Sequence, residues 1–223
     1  MLEGMATMDY AALRSKMVDG QIRTTDVTSH PVLNAFLSVH REDFVPERRK
    51  AVAYIDNDVE IAPGRYLMAP SPLAKMLQLA EIRPTDVVLD IGAGTGCVSA
   101  LLSHLAGTVV AVESDAELAA AAKANIEAAG ASNVSVVTGD LAAGCSAKAP
   151  YDVIVVSGAV EEIPDALFAQ LKEGGRLVAI VGRGLSSGAR IYVREGGSHS
   201  ERFAFNASVQ MLPGFAKTPE FQF

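Results

Sequence analysis

Between residues 86 and 181, short apolar runs alternate with longer stretches that have the periodicity of helices. Some of the runs are apolar without interruption, as in Val109-Val110-Ala111-Val112 and Val153-Ile154-Val155-Val156. A strand with no polar face must be covered on both sides, and the helices that connect parallel strands supply that cover. The sequence therefore predicts an α/β fold, with a Rossmann-like, doubly wound and mostly parallel sheet.

The segments on either side of this alternation have different patterns. Residues 1–80 are mostly helical in pattern, which predicts an N-terminal helical cap that ends in a loop rich in proline and glycine at residues 63–72. Within that loop, Ser71-Pro72 has the pattern of a helix start. Two apolar runs flank a turn-rich stretch at residues 196–200, which predicts a C-terminal antiparallel hairpin. We expect the cap and loop (1–80) and the Rossmann-like domain (81–223) to form one globular unit.

The composition limits the classes of protein to which the chain can belong. A net charge of -7 would on average repel a phosphate backbone, so a nucleic-acid ligand is disfavoured. No stretch approaches the roughly 18 apolar residues that a membrane-spanning helix needs, and the N-terminus lacks the pattern of a signal peptide. Cys97 and Cys145 have no metal-ligand spacing and the four histidines are scattered. We therefore expect no metal site and a reducing, cytoplasmic setting.

A glycine-rich turn follows the first predicted strand of the sheet, at Asp90-Ile91-Gly92-Ala93-Gly94-Thr95-Gly96. Glycines at such a turn allow a ligand to approach the backbone closely. The dinucleotide fingerprint would place a further glycine at position 97, which is Cys97, and Asp90 would repel a pyrophosphate but attract a sulfonium. The turn thus favours S-adenosylmethionine over a nicotinamide cofactor. The alternative is that Asp90 caps the turn and the glycines serve packing alone.

Polar residues also follow the next strands. Glu113 ends the second strand, about twenty residues after the glycine turn, where a carboxylate can accept hydrogen bonds from both ribose hydroxyls. Asp140 follows the third strand and could accept from an adenine amino group, or it could cap a helix. Ser157 and Gly158 follow the fourth strand, at the sheet edge where ligands bind in open α/β folds. We expect them to border the methyl group.

Taken together, these motifs resemble those of the class I methyltransferases. More narrowly, the chain resembles the protein-L-isoaspartate O-methyltransferases, because its N-terminal motifs are similar to theirs in order and spacing. The residues that carry this resemblance are Gln21-Ile22-Arg23, Val39 to Pro46, Ala53-Tyr54-Ile55-Asp56, Asp90 to Gly96, Glu113, Gly139-Asp140, Ala149 to Val156 and Gly174 to Val178. The similarity extends to about residue 182, and we could not place the tail that contains Pro219, Glu220 and Phe221.

The resemblance implies a set of site residues. Those that would bind S-adenosylmethionine are Asp90, Gly92, Ala93, Gly94, Gly96, Glu113, Ser114, Asp140, Leu141 and Ser157, where Leu141 replaces the family's usual glycine. The substrate loop departs further from the family, which typically has Gly-x-Gly-Gln-Thr-Ile-Ser-Gln-Pro. Here Tyr66 replaces the threonine and Met68 replaces the serine that the resemblance associates with the reaction, so the threonine and serine hydroxyls are absent.

The function that the resemblance implies is methylation of isoaspartyl carboxylates in damaged peptides and proteins. Arg65, Tyr66 and Met68 are the candidate catalytic residues of the substrate loop, and we hypothesise that Arg65 and Tyr66 contact an acidic acceptor. On that hypothesis, Arg65→Ala weakens substrate use and leaves cofactor affinity intact. Arg65 at the surface and Tyr66 in the core is the alternative. Two other functions stay open: a methyltransferase with another acceptor, and a non-catalytic protein that binds S-adenosylmethionine.

Overall fold

The computed structural model describes residues 8–215, which form nine strands and six α-helices. The strands are β1 (Val59–Ala62), β2 (Arg65–Leu67), β3 (Val87–Ile91), β4 (Thr108–Glu113), β5 (Val134–Thr138), β6 (Tyr151–Val160), β7 (Leu171–Val181), β8 (Gly188–Glu195) and β9 (Ser198–Asn206). The α-helices are α1 (Tyr10–Met17), α2 (His30–Ser38), α3 (Pro70–Leu79), α4 (Cys97–Ser103), α5 (Ala116–Ala128) and α6 (Asp165–Ala169). A π-helical turn, Val18–Ile22, continues α1.

Seven of these strands form the central sheet in the order β5-β4-β3-β6-β7-β8-β9. The pairs among β3 to β7 are parallel, whereas β8 is antiparallel to both β7 and β9. The predicted doubly wound, mostly parallel sheet with a C-terminal antiparallel hairpin is confirmed. Because the order reverses at β3, the carboxyl ends of β3, β4 and β6 border one crevice, which is where open α/β sheets bind ligands.

Two hydrophobic clusters cover the two faces of the sheet. Side chains alternate along β6, so that Val153 and Val155 belong to one cluster while Ile154 and Val156 belong to the other. All four are fully buried, as the uninterrupted apolar run predicted. The first cluster also contains residues of α2 and α3, so the N-terminal segment shares its core with the sheet. The proposed boundary near residue 80 stays a prediction.

The segment predicted as a loop at residues 63–72 has regular structure instead. β1 and β2 form an antiparallel hairpin, and Gly64 takes a left-handed conformation (φ +69°) at its turn. Helix α3 then begins at Pro70, so the start predicted at Ser71-Pro72 is slightly late. Ser71 does not cap this helix, because its hydroxyl donates to Asp56 (2.5 Å). The prolines correctly predicted that regular structure is interrupted here. They could not predict a three-residue strand that lies among turn-forming residues.

The C-terminal strap, residues 207–215, crosses the carboxyl ends of β3 and β6. Its backbone pairs with β6 through Ala159, whose N–H donates to Gln210 O (2.9 Å) and whose carbonyl accepts from Leu212 N (2.8 Å). Leu212 is 6% exposed and packs into the cluster on the α6 side of the sheet. The tail residues that the sequence could not place, Pro219 to Phe221, lie outside the described residues.

Within residues 8–215, none of the helices has the length and apolar character needed to cross a bilayer. The same part of the chain has no group of three or more histidine, cysteine or acidic side chains arranged to hold a metal ion.

Candidate cofactor and acceptor site

The glycine turn lies between the ends of β3 and β4. The N–H groups of Gly92 and Ala93 donate to the carbonyl of Val112 (2.9 and 3.1 Å), which fixes the turn against β4. Gly92, Gly94 and Gly96 all have left-handed φ angles, of +84°, +58° and +96°. Only glycine adopts these angles without strain, so the sequence motif follows directly from the backbone path of the turn.

Glu113 stands at the carboxyl end of β4, directly beside the glycine turn, and its side chain is fully buried. Its Oε2 accepts from the N–H of Gly94 (2.7 Å) and its Oε1 from the N–H of Asp115 (3.0 Å). The hydroxyl of Ser114 lies 3.4 Å from the same Oε1. The strand-end carboxylate predicted to receive the ribose is therefore held rigidly in the crevice.

Arg65 of β2 forms a bidentate ion pair with Glu113. The distances from Nη1 to Oε1 and from Nη2 to Oε2 are both 2.5 Å, and the arginine side chain is only 8% exposed. Burial alone would raise the pKa of Glu113, but Arg65 and the backbone donors together hold that pKa below its ordinary value. Arg65 is thus neither a surface residue nor a free substrate contact, because it occupies the carboxylate predicted for the cofactor.

Asp90 lies deeper than predicted, with no exposed surface. Its Oδ1 accepts from the hydroxyl of Ser157 (2.5 Å) and its Oδ2 from that of Ser99 (2.6 Å). Burial raises the pKa of Asp90 to about 6, although the hydrogen bonds from the two hydroxyls act in the opposite direction and lower that pKa. Both oxygens of the Asp90 carboxylate thus have hydroxyl donors, and a contact between Asp90 and the cofactor stays a prediction. The carboxylate fixes Ser157, which lines a small cavity.

The raised pKa of Asp90 predicts a specific dependence of stability on pH. A folded-state pKa of about 6, above the ordinary 3.8, means that the native state binds this proton more tightly than the unfolded state. Its stabilising contribution is complete below about pH 4 and is lost as the pH rises through about 6. The difference corresponds to about 3 kcal/mol.

Urea unfolding of the wild type and of Asp90→Asn at pH 4 and pH 7.5 measures this contribution. We expect the wild type to lose about 2–3 kcal/mol relative to the variant between the two pH values, since the amide cannot ionise. Parallel pH profiles of the two proteins would show that Asp90 titrates normally.

A small cavity lies where the hairpin, the end of β6 and the strap meet. It has a volume of about 10 Å³, enough for about one water molecule. Its lining includes Asp58, Arg65, Tyr66, Met68 and Ser157. The three candidate residues of the substrate loop therefore line one cavity together with Ser157.

These loop residues differ in how their side chains are placed. Met68 is 2% exposed and belongs to the hydrophobic core, and its backbone carbonyl accepts from the buried Arg41 (2.5 Å). Tyr66 is half-buried. The hairpin is thus anchored through Met68, while Arg65 and Tyr66 provide polar groups at the cavity.

The crevice above the glycine turn is filled by side chains of the protein itself. A Cβ placed on Gly92 would lie 2.7 Å from Cδ2 of Leu212, and one placed on Gly94 would lie 2.7 Å from Cδ1 of Ile61. Both contacts are made by the ends of side chains that can rotate, those of Leu212 and Ile61, and glycine backbone lies beneath them. A ligand that lies over the glycine turn would therefore have to displace the ends of the Ile61 and Leu212 side chains.

The remaining predicted residues have simpler positions. Asp140 is exposed and its Oδ1 accepts from the N–H of Ala142 (3.0 Å), so it closes a turn rather than capping a helix. Leu141 is buried in the core, and its side chain packs in the α6-side cluster. Ala93 is nearly buried within the glycine turn. Whether any of these residues contacts the cofactor stays a prediction.

Sequence reasoning missed three residues of this site: Asp58, Ile61 and Leu212. Asp58 accepts from the N–H groups of Ala69 (2.8 Å) and Gln210 (2.6 Å), so it ties the hairpin to the strap. In the sequence, Asp58 was marked only by its position two residues after Asp56 and shortly before the substrate loop. Nothing in the sequence pattern marks Ile61 or Leu212 as different from ordinary core residues.

A sequence model of one known family matches most of the chain. The family is protein-L-isoaspartate(D-aspartate) O-methyltransferase, and the match covers residues 12–209. The chain belongs to this family. The resemblance inferred from the motifs is confirmed, and with it the prediction of a methyltransferase that depends on S-adenosylmethionine.

Individual family members are similar to this chain in sequence over most of their length. The protein-L-isoaspartate O-methyltransferase of Koribacter versatilis is 44% identical over 173 residues, which are 78% of this chain and 78% of the relative. The enzyme of the same name from Methanoculleus marisnigri is 43% identical over 169 residues, 76% of this chain and 77% of the relative.

Solved structures show the same fold. A protein-L-isoaspartate O-methyltransferase structure superposes with a TM-score of 0.79 at 29% identity, covering 90% of this chain and 66% of that one. A Plasmodium falciparum protein of the family, in complex with S-adenosyl-L-homocysteine, superposes with a TM-score of 0.76. It is 19% identical, with 90% of this chain and 96% of that chain covered, so this likeness concerns the fold alone.

Proposed function

We propose that this chain transfers the methyl group of S-adenosylmethionine to the carboxylate of L-isoaspartyl residues in damaged peptides and proteins. The observation that carries the proposal is the buried Glu113 beside the glycine turn, adjoining the cavity that Arg65, Tyr66 and Ser157 line. Membership of the family supports the acceptor class.

Several residues are positioned to hold the cofactor. Glu113 would accept from the ribose hydroxyls, and the backbone of residues 92–96 would pass under the ligand without side chains in the way. Ser157, fixed by Asp90, would border the reacting methyl. When bound, S-adenosylmethionine supplies an electrophilic methyl group next to the cavity of the substrate loop.

The protein's task in this reaction is mainly positional. An isoaspartyl carboxylate is already ionised near neutral pH, since carboxyl pKa values lie near 4, so no general base is required. Correct alignment of two reactants can contribute roughly 7–11 kcal/mol to a rate. The replacement of the family's threonine and serine by Tyr66 and Met68 is therefore compatible with catalysis.

Arg65 and Tyr66 are the residues we assign to the acceptor. A guanidinium presents a planar pair of donors that matches a carboxylate, and a phenol adds one more donor. Met68 contributes an apolar wall rather than chemistry, because its side chain is buried in the core.

The two departures from the family's substrate loop, Tyr66 for threonine and Met68 for serine, also favour a second candidate function. This is a methyltransferase for a different carboxylic acceptor. Tyr66 and Met68 are bulkier than threonine and serine and change the shape of the cavity wall. The net charge of -7 disfavours nucleic-acid acceptors in either case. The free thiols of Cys97 and Cys145 support the proposed cytoplasmic location, where cysteines remain reduced.

Methyl incorporation into an isoaspartyl peptide tests the proposal, with the same peptide in its ordinary aspartyl form as the control. We expect labelling of the isoaspartyl form only. Arg65→Ala should lower kcat/KM for that peptide by about tenfold or more, because a charge-assisted hydrogen bond is lost. Labelling of some other carboxylic acid would select the second candidate. Cofactor binding without any methylated product would indicate a non-catalytic binding protein.

A further inference from the structure

The carboxylate of Glu113 has no hydrogen-bonding capacity left in this structure. Five donors surround it: two nitrogens of Arg65, the N–H groups of Gly94 and Asp115, and the hydroxyl of Ser114. A carboxylate offers about four lone-pair sites. Two ribose hydroxyls can therefore bind Glu113 only if some of these donors leave.

Among the donors, only Arg65 and Ser114 contribute side chains that can rotate away, and Arg65 is the one that holds both oxygens, whereas the Ser114 hydroxyl lies 3.4 Å from one of them. The N–H groups of Gly94 and Asp115 belong to the backbone that defines the turn and the start of α5. Arg65 reaches Glu113 from the β1–β2 hairpin, 48 residues away, through a flexible side chain. Ribose and guanidinium thus compete for the same two oxygens.

Once displaced from Glu113, the guanidinium of Arg65 has only a short distance to move to reach the cavity. Its backbone stays in β2, which pairs with β1, and its neighbours Tyr66 and Met68 line the cavity at the end of β6. We propose that the cofactor displaces Arg65 from Glu113 and thereby makes the guanidinium available to the carboxylate of the acceptor.

This exchange makes the binding of the two substrates interdependent. Without cofactor, Arg65 is neutralised by Glu113 and the cavity offers no free cation to an acidic acceptor. With cofactor, the cation is free, and by thermodynamic reciprocity the acceptor then strengthens cofactor binding by the same factor. The second half of this inference rests on the proposed function, because it requires an acidic acceptor.

Calorimetry with S-adenosylhomocysteine tests the competition without any turnover. Arg65→Ala removes the competitor, so we expect about tenfold tighter binding, within the usual range of such couplings. Arg65→Lys should lie between the two, because an ammonium cannot form the parallel pair of bonds. Arg202→Ala, an exposed residue of β9, is the control for the loss of one charge and should bind as the wild type does.

The sequence-based expectation that Arg65→Ala leaves cofactor affinity intact is replaced by this prediction. Equal or weaker binding of S-adenosylhomocysteine by Arg65→Ala would overturn the competition. Should that variant be unstable, Arg65→Gln retains one amide donor with no charge, and it too should bind more tightly than the wild type.

The affinity for an isoaspartyl peptide, measured with and without saturating S-adenosylhomocysteine, tests the exchange. In the wild type we expect the nucleoside to strengthen peptide binding by about tenfold, and in Arg65→Ala this enhancement should disappear. An enhancement that survives in the variant would overturn the role of Arg65. No nucleoside binding by any variant would refute the proposed function itself, whereas nucleoside binding without tightening in Arg65→Ala would refute the competition alone.

Discussion

Glu113→Gln is expected to lower the free energy of unfolding by about 3–5 kcal/mol, the usual cost of leaving one member of a buried ion pair without its partner. Arg65 would remain buried, at 8% exposure, against a neutral amide that cannot accept both of its donors. The same substitution should weaken binding of S-adenosylhomocysteine strongly, because the ribose loses its acceptor. Urea unfolding and calorimetry measure the two effects separately.

Two further variants identify the cause of the loss. Glu113→Gln combined with Arg65→Met removes both charges and should recover most of the stability, since an apolar replacement of a whole ion pair is often neutral. It should not recover cofactor binding. Glu117→Gln, in the exposed first turn of α5, should change stability by less than about 0.5 kcal/mol. A double variant as unstable as Glu113→Gln alone would show that the ion pair is not the origin of the effect.

Gly92→Ala is expected to destabilise the protein by about 2–5 kcal/mol, from two separate causes. The residue would be held at φ +84°, which costs a non-glycine residue about 1–2 kcal/mol. Its Cβ would also lie 2.7 Å from Leu212 Cδ2, and such overpacking typically costs about 1–3 kcal/mol. Urea unfolding gives the sum.

Gly158 offers a matched comparison, because its Cβ would lie 2.6 Å from Leu212 Cγ but its backbone is not left-handed. Leu212→Ala should therefore remove most of the cost of Gly158→Ala, and the backbone carbonyl of Gln210, 3.3 Å from the same Cβ, accounts for the remainder. In the same background, Gly92→Ala should retain about 1–2 kcal/mol of backbone strain. If Leu212→Ala fails to relieve Gly158→Ala, the strap is not the group that limits space above these glycines.

Most of the sheet could be predicted from the sequence because its strands are buried on both faces. The run from Val153 to Val156 is apolar at every position, and each side chain has a covered environment in one of the two clusters. The hairpin of β1 and β2 was not predictable in the same way. Its three-residue second strand lies among turn-forming residues and is too short to show a period.

Some residues of the candidate site could likewise be predicted from the sequence, and others could not. The glycine turn and Glu113 were predictable because strand ends in a parallel sheet meet at one edge, so their positions follow from the strand pattern. The pairing of Arg65 with Glu113 was not, because it joins residues 48 positions apart on elements with no common period. The two hydroxyl partners of Asp90 could not be predicted, since a strand-end carboxylate looks the same in sequence whether it faces a ligand or buried hydroxyls. Contact between Asp90 and the cofactor stays a prediction.

The C-terminal strap also bears on when this crevice is completed during synthesis. Residues 207–215 follow every strand of the sheet, yet they bring Leu212 onto Gly92 and tie Gln210 to Asp58. Chains emerge from the ribosome N-terminus first, at about 5–20 residues per second. A nascent chain that has just made β9 therefore contains the glycine turn, Glu113 and Arg65 but lacks their cover, and its crevice closes only after residues 207–215 have been added.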